Sequence, residues 1–192
     1  MRGEELLALY EREGALLRGH FQLRSGRHAA RYLQSALLLS RPPLAELAGK
    51  TLAALLAEFG ARTVLAPATG GIVIGHETAR ALGVRSLFAE RREDRFLLRR
   101  GFRLEPGEPV VVVEDVVTTG GSVRAVIEAA ERTGARVAAV AALVDRSEGK
   151  ARFPVPFRPA ARLDLETYDP EACPLCGEGI PLEKPGSRGI DA

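Results

Sequence analysis

The chain has 192 residues, 46% of them hydrophobic, and a formal net charge of +2 at pH 7. That length suits one domain with a sizeable core, and the small net charge predicts no global attraction to nucleic acid or to a membrane surface. No run approaches the roughly 18 apolar residues that cross a bilayer. The segment 1–5 has no apolar signal, and two cysteines three positions apart are no disulfide framework, so we expect a cytoplasmic protein.

Hydrophobic periodicity divides the chain into short helices and strands that end near glycine or proline. From residue 43 onward strands and helices alternate, which is typical of an α/β fold with a doubly wound parallel sheet. We predict a single domain over 1–192, with an N-terminal segment (1–42), a core sheet (43–146) and an irregular C-terminal appendage (147–192). The predicted elements, in chain order, are a helix at Glu4–Glu13, strands at Ala15–Leu23 and Arg31–Leu39, a helix at Pro43–Phe59, a strand at Thr63–Ala68, a helix at Gly71–Leu82, a strand at Val84–Ala89, a charged hairpin at Glu90–Pro106, a strand at Val110–Val113, a helix from Val123 to Gly134, and a last parallel strand at Arg136–Val144.

The most informative stretch is 110–123. Four consecutive valines predict a strand that is buried on both faces, and Glu114 and Asp115 follow at its carboxyl end. The glycines and hydroxyls of 118–122 then lead into a helix, whose N-terminal N–H groups suit a phosphate. The carboxylates would repel phosphate and instead suit a ribose diol or a magnesium ion. We therefore predict a pocket for a phosphorylated sugar; the alternative is an ordinary strand–helix turn with Ser122 as the N-cap.

Two further segments are predicted at the same edge of the sheet. Ala66–Gly71 places a second glycine pair before a helix, which favours an anion cradle for pyrophosphate over a plain tight turn. The segment 91–103 carries six arginines against Glu93 and Asp94. Such a run often forms a solvated face, but guanidinium groups also bind phosphate oxygens bidentately. We favour a phosphate-binding lid that excludes water during chemistry.

Residues 110–123 resemble the signature of the type I phosphoribosyltransferases, which bind phosphoribosyl pyrophosphate (PRPP). The resemblance implies that Glu114 and Asp115 hold the ribose 2′- and 3′-hydroxyls, that the following loop wraps the 5′-phosphate, and that the 66–71 loop binds pyrophosphate. Many relatives carry a lysine where this chain has Gly70. The implied PRPP-binding residues are Glu114, Asp115, Val116, Val117, Thr118, Thr119, Gly120, Gly121, Ser122, Thr69, Gly70, Arg91 and Arg24.

Nearly the whole chain is similar to the orotate branch of this family. Segments 19–27 and 31–34 resemble its N-terminal hood, where Arg24 stands in for a common lysine. The pair Asp145-Arg146 is similar to the contact with the orotate carboxylate. An acidic pyrimidine also needs a fixed cation, which a bidentate arginine provides; a plain ion pair between the two residues is the alternative. The implied orotate-binding residues are Thr118, Arg146 and Tyr32.

The arginine-rich segment is similar to the mobile catalytic loop that, in this branch, reaches into the neighbouring subunit of a homodimer. On that match Arg91, Arg92 and Arg95 contact pyrophosphate in the other chain. Relatives commonly carry lysines and a histidine there, whereas this chain has arginines and no histidine. The implied catalytic residues are Asp115, Glu114, Arg92 and Arg95.

The resemblance implies transfer of a phosphoribosyl group from PRPP to orotate, giving orotidine 5′-phosphate and pyrophosphate in de novo pyrimidine (UMP) biosynthesis. The implied cofactor is Mg²⁺, held mainly by the substrate, so no residue is assigned as a metal ligand. The expected partners are the small-molecule substrates and a second copy of the chain, with no nucleic acid and no membrane. Two alternatives remain: a purine phosphoribosyltransferase, and a non-enzymatic PRPP-sensing regulator on the same fold.

The C-terminal segment holds a Cys-x-x-Cys motif, Cys173 and Cys176, which is half of a structural zinc site. No metal-ligand spacing links His20, His28 and His76, so a second pair of ligands is not expected from this chain. Two subunits could share a metal, or the motif could be a turn with reduced thiols.

Overall fold

The computed structural model describes residues 1–23, 25–93 and 95–185. Arg24, one of the predicted PRPP-binding residues, lies outside them, as do Asp94 and 186–192. The helices are α1 (Gly3–Arg12), α2 (Ser35–Leu39), α3 (Pro42–Leu56), α4 (Gly71–Leu82), α5 (Gly121–Glu131) and α6 (Pro174–Gly177). The strands are β1 (Leu16–Gln22), β2 (His28–Leu33), β3 (Thr63–Pro67), β4 (Arg85–Arg92), β5 (Arg95–Leu98), β6 (Pro109–Val117), β7 (Arg136–Asp145), β8 (Phe157–Arg162) and β9 (Thr167–Tyr168).

A six-stranded sheet with the order β5-β4-β3-β6-β7-β8 forms the centre of the molecule. Its strands run parallel except β5, which pairs antiparallel with β4. The predicted doubly wound α/β fold is therefore confirmed. The four valines lie in β6, between β3 and β7, where a strand is buried on both faces.

The alternation of side chains along β6 divides the core into two layers. Val111 and Val113 pack with Leu52 of α3 and Ile74 of α4 on one face. On the other face Val110 and Val112 pack with α5 residues such as Val126. This two-sided burial is why the strand has no polar position until Glu114.

The sheet has one parallel strand more than the sequence suggested. Arg136–Val144 was expected to be the last one, but β8 pairs with β7 in parallel register, from Val140–Phe157 to Asp145–Arg162. β8 is an edge strand that contains Pro159 and two arginines, and its burial is mostly partial. Edge strands tolerate proline and polar residues, so β8 lacks the apolar pattern that marked the central strands.

A second sheet, with the order β1-β2-β9, combines both ends of the chain. The strand expected at Arg31–Leu39 ends at Leu33, and Ser35–Leu39 is the helix α2. A short run of leucines does not distinguish a buried helix from a strand. From the C-terminal segment, β9 pairs with β2, and Glu183 bridges to Phe21 on β1. Within the described part of the chain, no helix combines the length and apolar character that spanning a bilayer requires.

Candidate active site

The residues that the sequence singled out gather at the carboxyl edge of the large sheet. β3 ends at Pro67, β6 at Val117 and β7 at Asp145, and Val117 pairs directly with Asp145. Each strand leads into one of the predicted loops. The parallel topology therefore collects the acid pair, both glycine loops and Arg146 along one edge.

The acid pair of β6 lies against the first glycine loop. Glu114 is 8% exposed, and its Oε1 accepts a hydrogen bond of 3.2 Å from the Asp115 N–H. A Cβ on Gly70 would lie 3.0 Å from Asp115 Oδ1, and one on Gly71 would lie 3.1 Å from Glu114 Oε1. A side chain at either position would therefore make a tight contact with the carboxylates, and the glycines let the loop backbone approach them closely. The predicted pyrophosphate loop and the predicted diol-binding pair are thus in contact.

Asp115 differs from its neighbour in its partners. It is half-buried, yet its carboxylate makes no hydrogen bond or salt bridge with residues 1–23, 25–93 or 95–185. The protein alone does little to compensate the hydration that such a half-buried carboxylate loses. This carboxylate is therefore suited to hydroxyl groups or a cation from a ligand.

The second glycine loop, 118–122, leaves the first turn of α5 available to an anion. α5 begins at Gly121 with Gly120 as its N-cap, so the alternative with Ser122 as N-cap is wrong; the Thr119 hydroxyl accepts a bond of 3.4 Å from the Gly121 N–H. Gly120 has φ of 76°, and a Cβ there would lie 2.9 Å from the Phe153 ring. Arg124 Nη2 donates to the Thr119 carbonyl at 2.7 Å and fixes the loop. The next N–H groups of a first helical turn have no intrahelical partner and suit an anion.

The residues predicted to bind PRPP differ in their exposure to solvent. Thr118, Thr119 and Gly121 are exposed, as are Thr69 and Gly70 in the first loop. Val117 is 1% exposed and belongs to the core, so only its backbone lies at the site. Its carbonyl accepts a bond of 2.7 Å from the Arg146 N–H. Val116 is partly buried against the core.

Arg146 is a cation that the protein has not neutralised. Its guanidinium is largely buried, and its Nε has no hydrogen-bond partner in the described part of the chain. Burial lowers the pKa of Arg146, while the neighbouring Tyr32 phenol opposes that shift; an arginine remains protonated regardless. Tyr32 is half-buried on β2. The structure therefore brings together Arg146 and Tyr32, two of the three residues that were predicted to contact the base.

Asp145 has other partners, so the alternative of a plain Asp145–Arg146 ion pair is wrong. Asp145 Oδ1 accepts bonds from the Ser147 N–H at 2.9 Å and the Ser147 hydroxyl at 2.6 Å. Its Oδ2 lies 3.7 Å from Nε of Arg162 on β8. Consecutive side chains of a strand point to opposite faces, which separates Asp145 from the next residue.

The arginine-rich segment forms a hairpin of β4 and β5 at the edge of the sheet. β3 and β4 pair as far as Pro67 and Ala89, and the hairpin continues to its last pair, Arg92 with Arg95. Glu90 binds Arg99 at 3.0 Å and Arg100 at 2.5 Å. Arg91, Arg92 and Arg95 are exposed and form no salt bridge with any residue in the described ranges, which omit Asp94. Arg91 Nε donates a long bond of 3.4 Å to the Glu93 carbonyl, and the exposed guanidinium groups of all three residues can still be reached by an external anion.

Comparison with known proteins identifies the family of this chain. Residues 38–153 match the model of the phosphoribosyl transferase domain. The orotate phosphoribosyltransferase of Thermotoga maritima is 53% identical over 182 residues, covering 95% of this chain and 97% of the relative. The chain belongs to the orotate phosphoribosyltransferase family.

Two further relatives agree with this family assignment. The orotate phosphoribosyltransferase of Pelotomaculum thermopropionicum is 51% identical over 99% of this chain and 100% of its own length. The crystal structure of orotate phosphoribosyltransferase from Aeropyrum pernix superposes with a TM-score of 0.71 at 30% identity, covering 82% of this chain and 93% of that one. The chain is thus a transferase with the type I phosphoribosyltransferase fold.

One group of residues was missed by the sequence reasoning. His20 and His28 lie beside Cys173 and Cys176, with all four ligand atoms within 4.8 Å of one another. The expectation that this chain supplies no second pair of ligands is therefore wrong. The residues are far apart in sequence, and only the spacing of two histidines across a short hairpin could have signalled the cluster.

Proposed function

We propose that this chain transfers the phosphoribosyl group of PRPP to N1 of orotate, giving orotidine 5′-phosphate and pyrophosphate. The observation that carries the proposal is the Asp115 carboxylate, which lies half-buried against the first glycine loop without a hydrogen bond or salt bridge from the described residues. Membership of the orotate phosphoribosyltransferase family supports the same reaction.

The reaction requires electrostatic stabilisation and positioning more than a nucleophile from the protein. Breaking the bond between ribose C1 and the pyrophosphate oxygen develops positive charge on the ribose ring and negative charge on the leaving group. Glu114 and Asp115 would accept hydrogen bonds from the ribose hydroxyls and favour the nearby positive charge. The N–H groups at the start of α5 would hold the 5′-phosphate. Orotate N1 would then form the new bond to C1 on a fixed ribose.

The residues present fit a magnesium ion bound together with PRPP. Carboxylate oxygens are the ligands that Mg²⁺ takes from proteins, usually one or two beside substrate phosphates. Asp115 offers such oxygens within contact of the first glycine loop. When bound, Mg²⁺ supplies positive charge that stabilises the departing pyrophosphate. The chain's own contribution is to hold the diol on one side and the leaving group on the other.

Arg146 and Tyr32 would position the base. A largely buried guanidinium with an unpartnered Nε is suited to a carboxylate, because Arg–carboxylate pairs are frequently bidentate. Orotate carries such a carboxylate, whereas adenine and hypoxanthine do not. The site would therefore discriminate against purines by leaving its buried cation unpaired.

The test is an ultraviolet assay of base consumption with PRPP and Mg²⁺. Orotate should be consumed and pyrophosphate released, while adenine, hypoxanthine and uracil remain unchanged under the same conditions. Turnover of a purine without turnover of orotate would overturn the assignment of the base. Binding of PRPP without turnover of any base would instead favour a PRPP-sensing regulator.

We further propose that the chain works as a homodimer whose arginine hairpin completes the partner's site. Arg91, Arg92 and Arg95 are exposed and without salt bridges in the described ranges, which suits pyrophosphate that approaches from another subunit. Large apolar side chains are also exposed on α2, α3 and α4, namely Leu37, Leu47 and Val73. Their burial against a second copy would favour association.

Mixing two inactive variants tests both the dimer and the direction of the hairpin. One carries Asp115→Asn with Glu114→Gln, and the other carries Arg92→Ala with Arg95→Ala. After denaturation and refolding of an equal mixture, half of the dimers are heterodimers with one intact composite site each, so about a quarter of wild-type activity should return. In the matched control, Arg99→Ala with Arg100→Ala takes the place of the second variant, because these two arginines of the same segment are bonded to Glu90. Recovery no greater than the sum of the separate variants would contradict the proposal.

A further inference from the structure

Four potential metal ligands converge in the N-terminal sheet, and none of them is assigned to the substrates. We call them the Cys₂His₂ cluster: His20 of β1, His28 at the start of β2, Cys173, and Cys176 of α6. Their ligand atoms are His20 Nε2, His28 Nδ1 and the two Sγ atoms. His20, His28 and Cys173 are buried, at 1%, 4% and 6% exposure, and Cys176 closes the cluster from the solvent side.

The spacing of these atoms is close to that of a tetrahedral zinc site, with the two histidine nitrogens somewhat nearer to each other than bound ligands are. Zn–N bonds of about 2.0 Å and Zn–S bonds of about 2.3 Å place tetrahedral ligand atoms about 3.3–3.8 Å apart. His20 Nε2 lies 3.5 Å from Cys173 Sγ and 3.7 Å from Cys176 Sγ. His28 Nδ1 lies 3.4 Å from Cys176 Sγ and 2.9 Å from His20 Nε2. All four atoms fall within 4.8 Å of one another, so one ion can reach each of them with small side-chain movements.

The surroundings orient His20 towards the centre of the cluster. Its Nδ1 lies 2.8 Å from the Ile180 carbonyl, which only accepts a hydrogen bond, so Nδ1 carries the proton. The lone pair of Nε2 then faces the other ligands. A ligating histidine normally donates its second N–H to a carbonyl or carboxylate in this way. An irregularity in the β1–β2 pairing between Arg18 and Phe21 lets His20 and Phe21 both point inwards.

The two cysteines have the local geometry of a zinc knuckle. Cys173 immediately precedes α6 and Cys176 lies within its single turn, a Cys-x-x-Cys spacing that is typical of structural zinc sites. The two thiols are not joined by a disulfide. Two cysteines alone are half of a site, and the histidines of the opposite chain end supply the other half.

We propose that the Cys₂His₂ cluster binds one Zn²⁺ per chain as a structural site that joins the two ends of the polypeptide. Four protein ligands leave no open position, so the ion supports the fold and takes no part in chemistry. It fastens the C-terminal segment, which already pairs with β1 through Glu183 and with β2 through β9. The proposal does not depend on the reaction proposed above.

Metal content and coordination are the first test. The full chain, purified without chelators, should contain about one zinc per chain by plasma mass spectrometry. Cys173→Ser with Cys176→Ser should contain about a tenth of that or less, and His20→Ala should behave alike. The matched control is His76→Ala, because His76 is exposed on α4 outside the cluster and its loss should leave the zinc in place. Protein loaded with Co²⁺ should show thiolate charge-transfer and tetrahedral d–d absorption bands that the double cysteine variant lacks.

The second test asks whether the metal holds the chain ends together. A strong chelator should lower the melting temperature of the wild type and of His76→Ala, and should make the segment after Leu163 more sensitive to a protease. The double cysteine variant should already show both effects and should not respond to the chelator. Circular dichroism and gel filtration test whether this variant is folded.

Several outcomes would overturn the zinc site. They are zinc far below one per chain even after Zn²⁺ is added, a Co²⁺ spectrum without thiolate bands, and a Cys173–Cys176 disulfide in the freshly purified protein. Equal zinc content in the wild type and in the double cysteine variant would overturn it as well. Should that variant fail to fold, the Co²⁺ spectrum and the zinc content of the wild type decide the question alone.

Discussion

The two ends of β6 carry carboxylates in opposite situations. At the amino end Glu108 is 3% exposed and is bonded by the Thr63 hydroxyl at 2.5 Å, the Glu105 N–H at 2.9 Å and Arg85 at 3.2 Å. Near the carboxyl end the Asp115 side chain has no hydrogen bond or salt bridge within the described residues. At one end of β6 the protein itself donates hydrogen bonds to the carboxylate oxygens of Glu108. At the other end the carboxylate oxygens of Asp115 are left for a ligand.

This difference indicates which carboxylate serves stability and which serves binding. A buried carboxylate that is hydrogen-bonded and paired favours the folded state, and removal of it leaves its former partners unsatisfied. A half-buried carboxylate without partners contributes little to folding and is available for a substrate. The burial of a charged group therefore does not identify its role until its partners have been assigned.

The largest expected effect is at the carboxyl end of β6. Asp115→Asn combined with Glu114→Gln should lower kcat/KM for PRPP by at least about 100-fold, or about 2.7 kcal/mol of transition-state stabilisation. The single change Asp115→Asn should alter the free energy of unfolding, measured in urea, by less than about 1 kcal/mol, because this carboxylate has no hydrogen bond or salt bridge within the described residues to lose. Activity within about tenfold of the wild type would exclude these carboxylates as the diol-binding pair.

A smaller effect is expected at the end of β7, where Asp145 is paired and Arg146 is not. Arg146→Ala should raise the KM for orotate about 30-fold, since a charged hydrogen-bonded contact contributes about 2 kcal/mol. The KM for PRPP should stay nearly constant. The matched control is Arg162→Ala, which removes the arginine near Asp145 and should leave the KM for orotate unchanged. An equal rise in both variants would show that Arg146 acts through folding.

At the amino end of β6 the expected effect is on stability and not on activity. Glu108→Gln should lower the free energy of unfolding at pH 7 by about 2 kcal/mol, because hydrogen bonds to a charged group are weakened. The kcat at saturating substrate should not change, because Glu108 lies at the edge opposite the site. A fall in kcat with unchanged stability would reverse the roles assigned to the two ends.

The stabilisation by Glu108 should also depend on pH. Burial alone would raise the pKa of Glu108, but the Glu105 N–H, the Thr63 hydroxyl and the charges of Arg85 and Arg62 outweigh it and hold the pKa below its ordinary value of 4.5. A carboxyl group with a lowered folded-state pKa stabilises the fold above its unfolded pKa and loses that contribution as pH falls through the folded value. The difference between wild type and Glu108→Gln should therefore be constant at neutral pH and shrink in acid.

The features that the sequence predicted well are local ones. The valine strand is confirmed as part of β6, and because Glu114, Asp115 and the loop at 118–122 follow it directly, a hypothesis about the pocket can be drawn from a few neighbouring residues. The partners of those residues could not be inferred in the same way. Asp145 binds Arg162 on a strand with no apolar pattern, and His20 meets Cys173 across most of the chain. Such contacts depend on tertiary packing, which hydrophobic periodicity does not encode.

The mixed origin of the small sheet has a consequence for the order of folding. Every strand of the six-stranded sheet is complete by Arg162, whereas β9 and the bridge at Glu183 are synthesised later. During translation the six-stranded sheet, which carries Glu114, Asp115 and both glycine loops, is therefore able to form first, while the hairpin that carries Tyr32 waits with one edge unpaired. Base selection would be the last property that a newly made chain acquires.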